Sequence, residues 1–377
     1  MSDNSTIRKF IIVSSDESWS DIWHTQLHYS YQLSKRYEVI FMNPPKGWKF
    51  SNLFRFKVES IQVFEHLTLT GYYNFLPSSL GKWVLKVNDK VNEILLNRLL
   101  HCRKNQQFIF WHFDPFRSLY TFSGNTNCKH IYHVIDPIAG HHHDLEFSKM
   151  ANLVVITSPK FLNHYTALNK NVLQISQGVD LDFYRNHMLE DTPDTLISKN
   201  SVLLLGTISD DIDFELLGKI ALRFPVGLVL IGPDKTVKQE SKNRFKELLA
   251  VKGVHWLGPM KPENFKEHVM ACKIGIIAYD SSNNQKNNLR SPLKVISYLG
   301  CHKPVISNID CEIPVLLNKA IYFVDKEESY FNLIEKCYTD QLNFDTIAVD
   351  EYLASIDYNY LLKIIFSALD EPLASRQ

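Results

Sequence analysis

The sequence predicts an α/β protein of two doubly wound domains in tandem, each a parallel sheet with helices on both faces, facing across a cleft. Three observations carry this. The chain has 377 residues, more than one compact core needs at roughly 100–200 residues per domain. Short β-rich apolar runs alternate with amphipathic helical patterns. The same rhythm stops near "SQGVDLDFY" (Ser176–Tyr184), where glycine and aspartates interrupt it, and then starts again.

In the first half "FIIVSS" reads as a strand and "HTQLHYSYQLSKR" as a helix with Leu27, Tyr31 and Leu33 near one face. "YEVIFMNPP" is a strand ended by two prolines, and "KWVLKVNDKVNEILLNRLL" is a long helix. "QFIFWHF", "HIYHVID" and "LVVITS" are three further strands. The second half opens with the strand "SVLLLGT" and the helix "DFELLGKIALRF". Strand "VGLVLIGP", helix "NRFKELLAVK" and strand "VHWLG" come next. After "FKEHVMAC" and "IGIIAYD", the stretch "SPLKVISYLGCHKPVISN" gives helix, turn and strand. In such sheets ligands bind outside the carboxyl ends of the strands, which directs attention to those ends.

Composition excludes several classes. The 41 basic and 41 acidic residues cancel, which argues against a nucleic-acid partner. The first ~185 residues carry about five excess positive charges and the remainder a matching negative excess, so the first half is expected to meet something anionic. No apolar run reaches the ~18 residues that span a bilayer. The polar start "MSDNSTIRKF" does not read as a signal peptide. The six cysteines form no CxxC pair, so reduced thiols and a cytoplasmic location are expected. A nicotinamide enzyme would carry G-x-G-x-x-G after its first strand. Here that strand is followed by "SSDESWSD", and the second half offers only the lone Gly206 in "LLLGTISDD".

The most informative stretch is "GIIAYDSSNNQKNNLRSPLKVISYLGCHKPVISN" (Gly275–Asn308). A strand ends at Tyr279. A polar loop carries Arg290 and Ser291. A helix begins around Pro292, a residue suited to a first helical position, and continues through Leu293 and Lys294. Free N–H groups, a positive dipole end and a cation converge there, as an anion site requires. An ordinary capped helix is the competing reading.

This segment resembles the nucleotide-sugar segment of GT-B glycosyltransferases, with its "SPLK…EYLA.GKPV" pattern. "VLLLGTISDDIDFELL", "LVLIGP" and "VHWLGPM" resemble the flanking strands of the same domain, in order. "NLVVITSPKFLNHY…NVLQISQGVDLDFY" resembles the end of the N-terminal domain and the linker, and "SSDESWSDIWHTQLHYSYQLSKRYEVIFMNPP" its opening. The likeness covers nearly the whole chain and is nearest to xanthan glucuronosyltransferase and teichuronic-acid-type polysaccharide glycosyltransferases. It implies the GT-B fold of two Rossmann-like domains: residues 1–178 for the acceptor, 179–350 for the nucleotide sugar, and 351–377 as a helix crossing back. It implies a UDP-sugar donor, a glycan or polyprenyl-linked acceptor and no metal or other cofactor. Gly206, Met260, Tyr279, Arg290, Ser291, Pro292, Leu293, Lys294 and Ser297 are the implied donor residues. Many retaining members carry two glutamates eight positions apart. Here those positions fall on Leu289 and Ser297, which weakens the ribose contact and favours an inverting reaction. A nucleotide-sugar epimerase of the same shape, or a catalytically silent binding subunit, are the alternatives.

An inverting transfer needs one base for the acceptor hydroxyl. Asp136 ends "IYHVID", and in the resembling enzymes an aspartate in this place is the base. A turn-forming Asp-Pro is the plain alternative. The three consecutive histidines His141, His142 and His143 cannot all face one ion, and H-E-x-x-H is absent. His141 and His142, with Trp19 and His112, are candidates for the acceptor side. "DDID" (Asp210–Asp213) reads as helix-capping acid rather than metal ligands. "PKGWKFSNLFRFK" (45–57) mixes bases with aromatics. It suits either peripheral contact with an anionic membrane or a packed helix with snorkelling lysines.

Overall fold

The computed structural model describes residues 10–21, 23–50, 58–99, 107–117, 128–135, 143–185, 197–280, 293–309, 314 and 317–371. The chain divides into two compact units. One is Met1–Ser176 with Leu361–Gln377, the other Gln177–Tyr360.

The first unit contains, in chain order, β1 (Phe10–Ser14), α1 (Thr25–Ser34), β2 (Glu38–Met42), β3 (Glu59–Phe64), β4 (Leu67–Gly71), α2 (Lys82–Leu99), β5 (Phe108–His112), β6 (Cys128–Val134), α3 (Asp144–Met150), β7 (Leu153–Ile156), α4 (Leu162–Thr166) and β8 (Val172–Gln174). The strands form one sheet in the order β3-β4-β2-β1-β5-β6-β7-β8. Every pair is parallel except β3 with β4. All five residues of β1 and of β5 are buried, as expected of central strands covered on both faces. Phe10, Ile12, Phe108 and Phe110 pack with Leu96 of α2 on one face. On the other, Trp111 meets Tyr29 of α1 (ring centroids 5.4 Å).

Two features depart from the sequence reading. The buried tyrosine of α1 is Tyr29, and Tyr31 is only partly covered. It turns instead toward Phe64, at 5.0 Å. The β3–β4 hairpin was not anticipated, because all six residues of β3 are exposed and an edge strand without a buried face leaves no apolar alternation to read.

The second unit contains α5 (Leu181–Arg185), β9 (Val202–Leu205), α6 (Phe214–Arg223), β10 (Leu228–Ile231), α7 (Gln239–Leu249), β11 (Val254–Trp256), α8 (Pro262–Ala271), β12 (Ile274–Ile277), α9 (Leu293–Gly300), β13 (Val305–Ser307), β14 (Ile321–Phe323), α10 (Glu327–Tyr338) and α11 (Thr346–Ser355). Its sheet runs β11-β10-β9-β12-β13-β14 and is parallel throughout. The unit closes on itself where Val179 N–H donates to Ile356 O (3.0 Å) and Tyr358 N–H to Val179 O (2.9 Å). A last helix, α12 (Tyr358–Asp370), is shared between the units. Within the first unit, Asn171 Nδ2 donates to Ala368 O (3.1 Å), Lys129 Nζ to Asp370 Oδ1 (2.8 Å), and Phe366 stands edge-on to Trp111.

One contact fixes α9 on the second sheet. Pairing of β9 with β12 covers only Val202 and Leu203, and Leu205 lies beyond it. The hydroxyl of Tyr298, fully buried, accepts from Leu205 N–H (2.7 Å) and donates to Leu203 O (2.8 Å). A side chain of α9 thus continues the ladder where the strand ends. Gly275 makes room: a Cβ there would lie 2.5 Å from the tyrosine ring. Tyr298→Phe leaves the buried Leu205 N–H without this acceptor and removes a donor from Leu203 O. It is expected to cost about 1–3 kcal/mol, read as a lower denaturant midpoint. An unchanged midpoint would contradict this role.

Candidate active site

In the second sheet the winding reverses between β9 and β12, the place where doubly wound sheets bind ligands. Gly206 follows β9 with φ +127°. A Cβ on Gly232, after β10, would lie 2.0 Å from Gly206 O, so these two turns pack backbone to backbone in a way only glycine permits. Gly206 N–H donates to Ile231 O (2.8 Å) and Gly232 N–H to Gly258 O (2.8 Å). Lys294, in the first turn of α9, extends over this floor. Its Nζ donates to Tyr279 Oη (3.1 Å) and lies 4.6 Å from the ring centroid. A Cβ on Gly206 would stand 3.4 Å from Lys294 Cδ. Gly206, Tyr279 and Lys294 therefore meet at the switch point.

The other sequence candidates are placed differently. Leu293 and Met260 are partly buried and pack on the core. Ser297 is buried, and its hydroxyl accepts from Tyr184 Oη of α5 (3.1 Å), so it does not join the three. Leu289, Arg290, Ser291 and Pro292 lie outside the described residues. Both outer acids of "DDID" act at helix starts. Asp213 caps α6 by accepting from Leu216 N–H (2.9 Å). Asp210 accepts from Val237 N–H (3.0 Å) and Lys238 N–H (3.1 Å), just ahead of α7.

In the first sheet the winding reverses between β1 and β5. A buried ion pair fastens the strand ends there. Arg117 Nε donates to Asp114 Oδ2, and its other nitrogens donate to Ser15 O, Tyr72 Oη and Asn43 O. Sequence reasoning missed this hub, although "FWHFDP" sets an aspartate directly after a strand. It also missed Asp16, which follows β1 and accepts from Gln26 Nε2 (2.8 Å). Asp16 is exposed as a residue, with its carboxyl turned toward the protein. Crowding of its carboxyl by protein and the nearby Asp114 charge push its pKa up to about 6.

Trp19 is partly buried. Its backbone N–H donates to Asn43 Oδ1 (2.8 Å) and its indole packs edge-on against Phe41. His112 belongs to the core instead of a strand-end surface. Its Nε2 meets His130 Nδ1 at 3.0 Å, and its ring packs on Phe147. Burial, with His130 alongside, holds its pKa well below the usual imidazole value, so it stays neutral. Asp136, His141 and His142 lie outside the described residues. His143 precedes α3. Among the described residues of that stretch the buried acid is Asp144, which accepts from Tyr132 Oη and Tyr165 Oη, both at 2.8 Å. Of segment 45–57, residues 51–57 are likewise outside the description.

The raised pKa of Asp16 makes a signed prediction. The folded state holds this proton more tightly than the unfolded state, so stability falls as pH rises from the ordinary carboxylate range through about 6. Asp16→Asn keeps an acceptor for Gln26 without the charge. It is expected to raise Tm by roughly 1–3 °C at pH 7.5, with the gain vanishing near pH 4. A gain that persists at pH 4 would contradict the electrostatic origin.

No protein-family model matches the chain. A Bacillus subtilis (strain 168) protein named as the teichuronic acid biosynthesis glycosyltransferase TuaH is 29% identical over 144 residues. That match spans 37% of this chain and 35% of the relative, so the chain matches about a third of the relative's length. Among solved structures, sucrose-phosphate synthase from Thermosynechococcus elongatus superposes with a TM-score of 0.66 at 12% identity, over 98% of this chain and all of that one. An α-glucosyltransferase in complex with UDP superposes with a TM-score of 0.61 at 12% identity, over 97% of this chain and all of the other. The chain therefore has the fold of the GT-B glycosyltransferases, two doubly wound Rossmann-like α/β domains.

Proposed function

We propose that this protein is a glycosyltransferase. It moves a sugar from a nucleoside-diphosphate donor, UDP-linked, to a glycan or polyprenyl-linked acceptor in cell-surface polysaccharide synthesis. The observation that carries the reading is Lys294 at the second switch point, held by Tyr279 over the Gly206 turn. A diphosphate needs a cation and close backbone approach, and both are present there. The α-glucosyltransferase that shares the fold is described with UDP, and the sequence relative is named for teichuronic acid synthesis. Both support the choice of donor and acceptor.

The reaction is read as inverting, with Asp136 as the base. The acceptor hydroxyl gives its proton to the Asp136 carboxylate as its oxygen bonds to the anomeric carbon. The bond from that carbon to the diphosphate oxygen breaks, and UDP leaves with the electron pair. The Lys294 ammonium offsets the charge that grows on the leaving group, so no metal is required.

Three measurements test this reading. Lys294→Ala is expected to weaken UDP binding about tenfold to a hundredfold by calorimetry; an unchanged affinity removes Lys294 from the diphosphate site. Asp136→Ala should lower transfer by about two to four orders of magnitude with UDP affinity retained, and full activity in that variant removes the base. Transfer should survive EDTA, whereas loss restored by a divalent cation would contradict the metal-free mechanism.

A further inference from the structure

Asp16 is held in place without being neutralised. It lies just past β1, where the winding of the first sheet reverses and ligands bind outside the strand ends. Gln26, a buried amide of α1, donates from Nε2 to Asp16 Oδ1 (2.8 Å). Ser15 pins the turn around it: its Oγ donates to Glu17 O (2.7 Å) and accepts from Glu17 N–H (3.1 Å). Arg117 is the cation at these strand ends. It donates to Ser15 O, next to Asp16, and otherwise to Asp114, Tyr72 and Asn43. Among the described residues Asp16 has no ion-pair partner, and the charges of Asp114 and Glu17 bear on it instead.

An ordinary turn acid is solvated or paired. This one is crowded by protein, meets like charges and lowers stability at neutral pH. A charge kept against stability is the pattern of a functional site. The loop also carries Trp19, half-buried, with its backbone anchored on Asn43 past the end of β2 and its indole against Phe41. A fixed carboxylate and an indole on one loop suit a sugar, which presents hydroxyl donors at its edge and C–H groups on its face. A second carboxylate is disfavoured there, because Asp16 has Asp114 and Glu17 close to it.

We propose that Asp16 accepts a hydrogen bond from a hydroxyl of a neutral sugar unit, in the proposed reaction the acceptor's, and excludes an acidic sugar from that place. The assignment to the acceptor rests on the glycosyltransferase reading. It adds to Asp136 a carboxylate that holds the acceptor without taking its proton. The test is titration of the full chain with methyl β-D-glucopyranoside, methyl β-D-galactopyranoside and methyl β-D-glucuronide at pH 7.5, followed by saturation-transfer NMR, beside calorimetry with UDP. The wild type should bind at least one neutral glycoside, and the glucuronide about tenfold more weakly or less. Asp16→Ala should weaken the neutral glycoside about tenfold with UDP affinity unchanged. Asp16→Asn, expected to be the more stable fold, keeps an acceptor oxygen; it should retain most of the neutral binding and admit the glucuronide. A purely structural role would not change that selectivity. Absence of neutral glycoside binding in the wild type, equal binding by Asp16→Ala, or a glucuronide still refused by Asp16→Asn would overturn the proposal. Glycoside binding that depends on Asp16 in a chain that does not bind UDP would support the sugar subsite and count against the glycosyltransferase reading instead.

Discussion

The hydroxyl of Tyr298 is the contact on which the candidate donor site rests. Parallel strands must separate at a switch point to leave a crevice, and separation strips partners from backbone groups that still lie in the core. Tyr298 resolves that conflict. Its oxygen takes the place of the missing strand at Leu205 and adds a donor to Leu203 O, and Gly275 yields the space for its ring. The same side chain locks α9, so Lys294, one turn earlier, reaches out over Gly206 from a fixed base. Packing, backbone satisfaction and the placement of a cation are consequences of one phenol.

The first sheet solves the same problem with charge. Arg117 gathers Ser15 O, Asn43 O and Tyr72 Oη at the strand ends while Asp114 balances it in the core. A buried ion pair of this kind is not strong evidence of net stabilisation, but it fixes geometry because each partner would be costly to leave alone. Asp16 lies nearby; crowding of its carboxyl by protein, with the Asp114 charge adding to it, raises its pKa.

The sequence revealed what burial writes into it. β1, β5, β9 and β10 are buried at every described position, and their continuous apolar runs could be read directly. The β3–β4 hairpin could not, since β3 has no buried face. In the site, Gly206, Tyr279 and Lys294 were legible as strand-end and helix-start residues. Ser297 stands apart from them: its hydroxyl accepts from Tyr184, a partner 113 positions away that sequence spacing does not show. His112 misled for a related reason, because a strand-end histidine looks the same in sequence whether it opens to water or pairs with His130. In "HVIDPIAGHHHDLEF" the histidines stand out, yet the buried acid among the described residues is Asp144, identifiable once Tyr132 and Tyr165 are seen to converge on it.

The central claim is that the second switch point holds the donor diphosphate against Lys294. A crystal structure of the chain with UDP tests it most directly. The account predicts a phosphate oxygen at hydrogen-bond distance from Lys294 Nζ, about 2.7–3.2 Å, with the diphosphate lying over the Gly206 turn. A diphosphate bound elsewhere, with Lys294 still donating to Tyr279 alone, would contradict it.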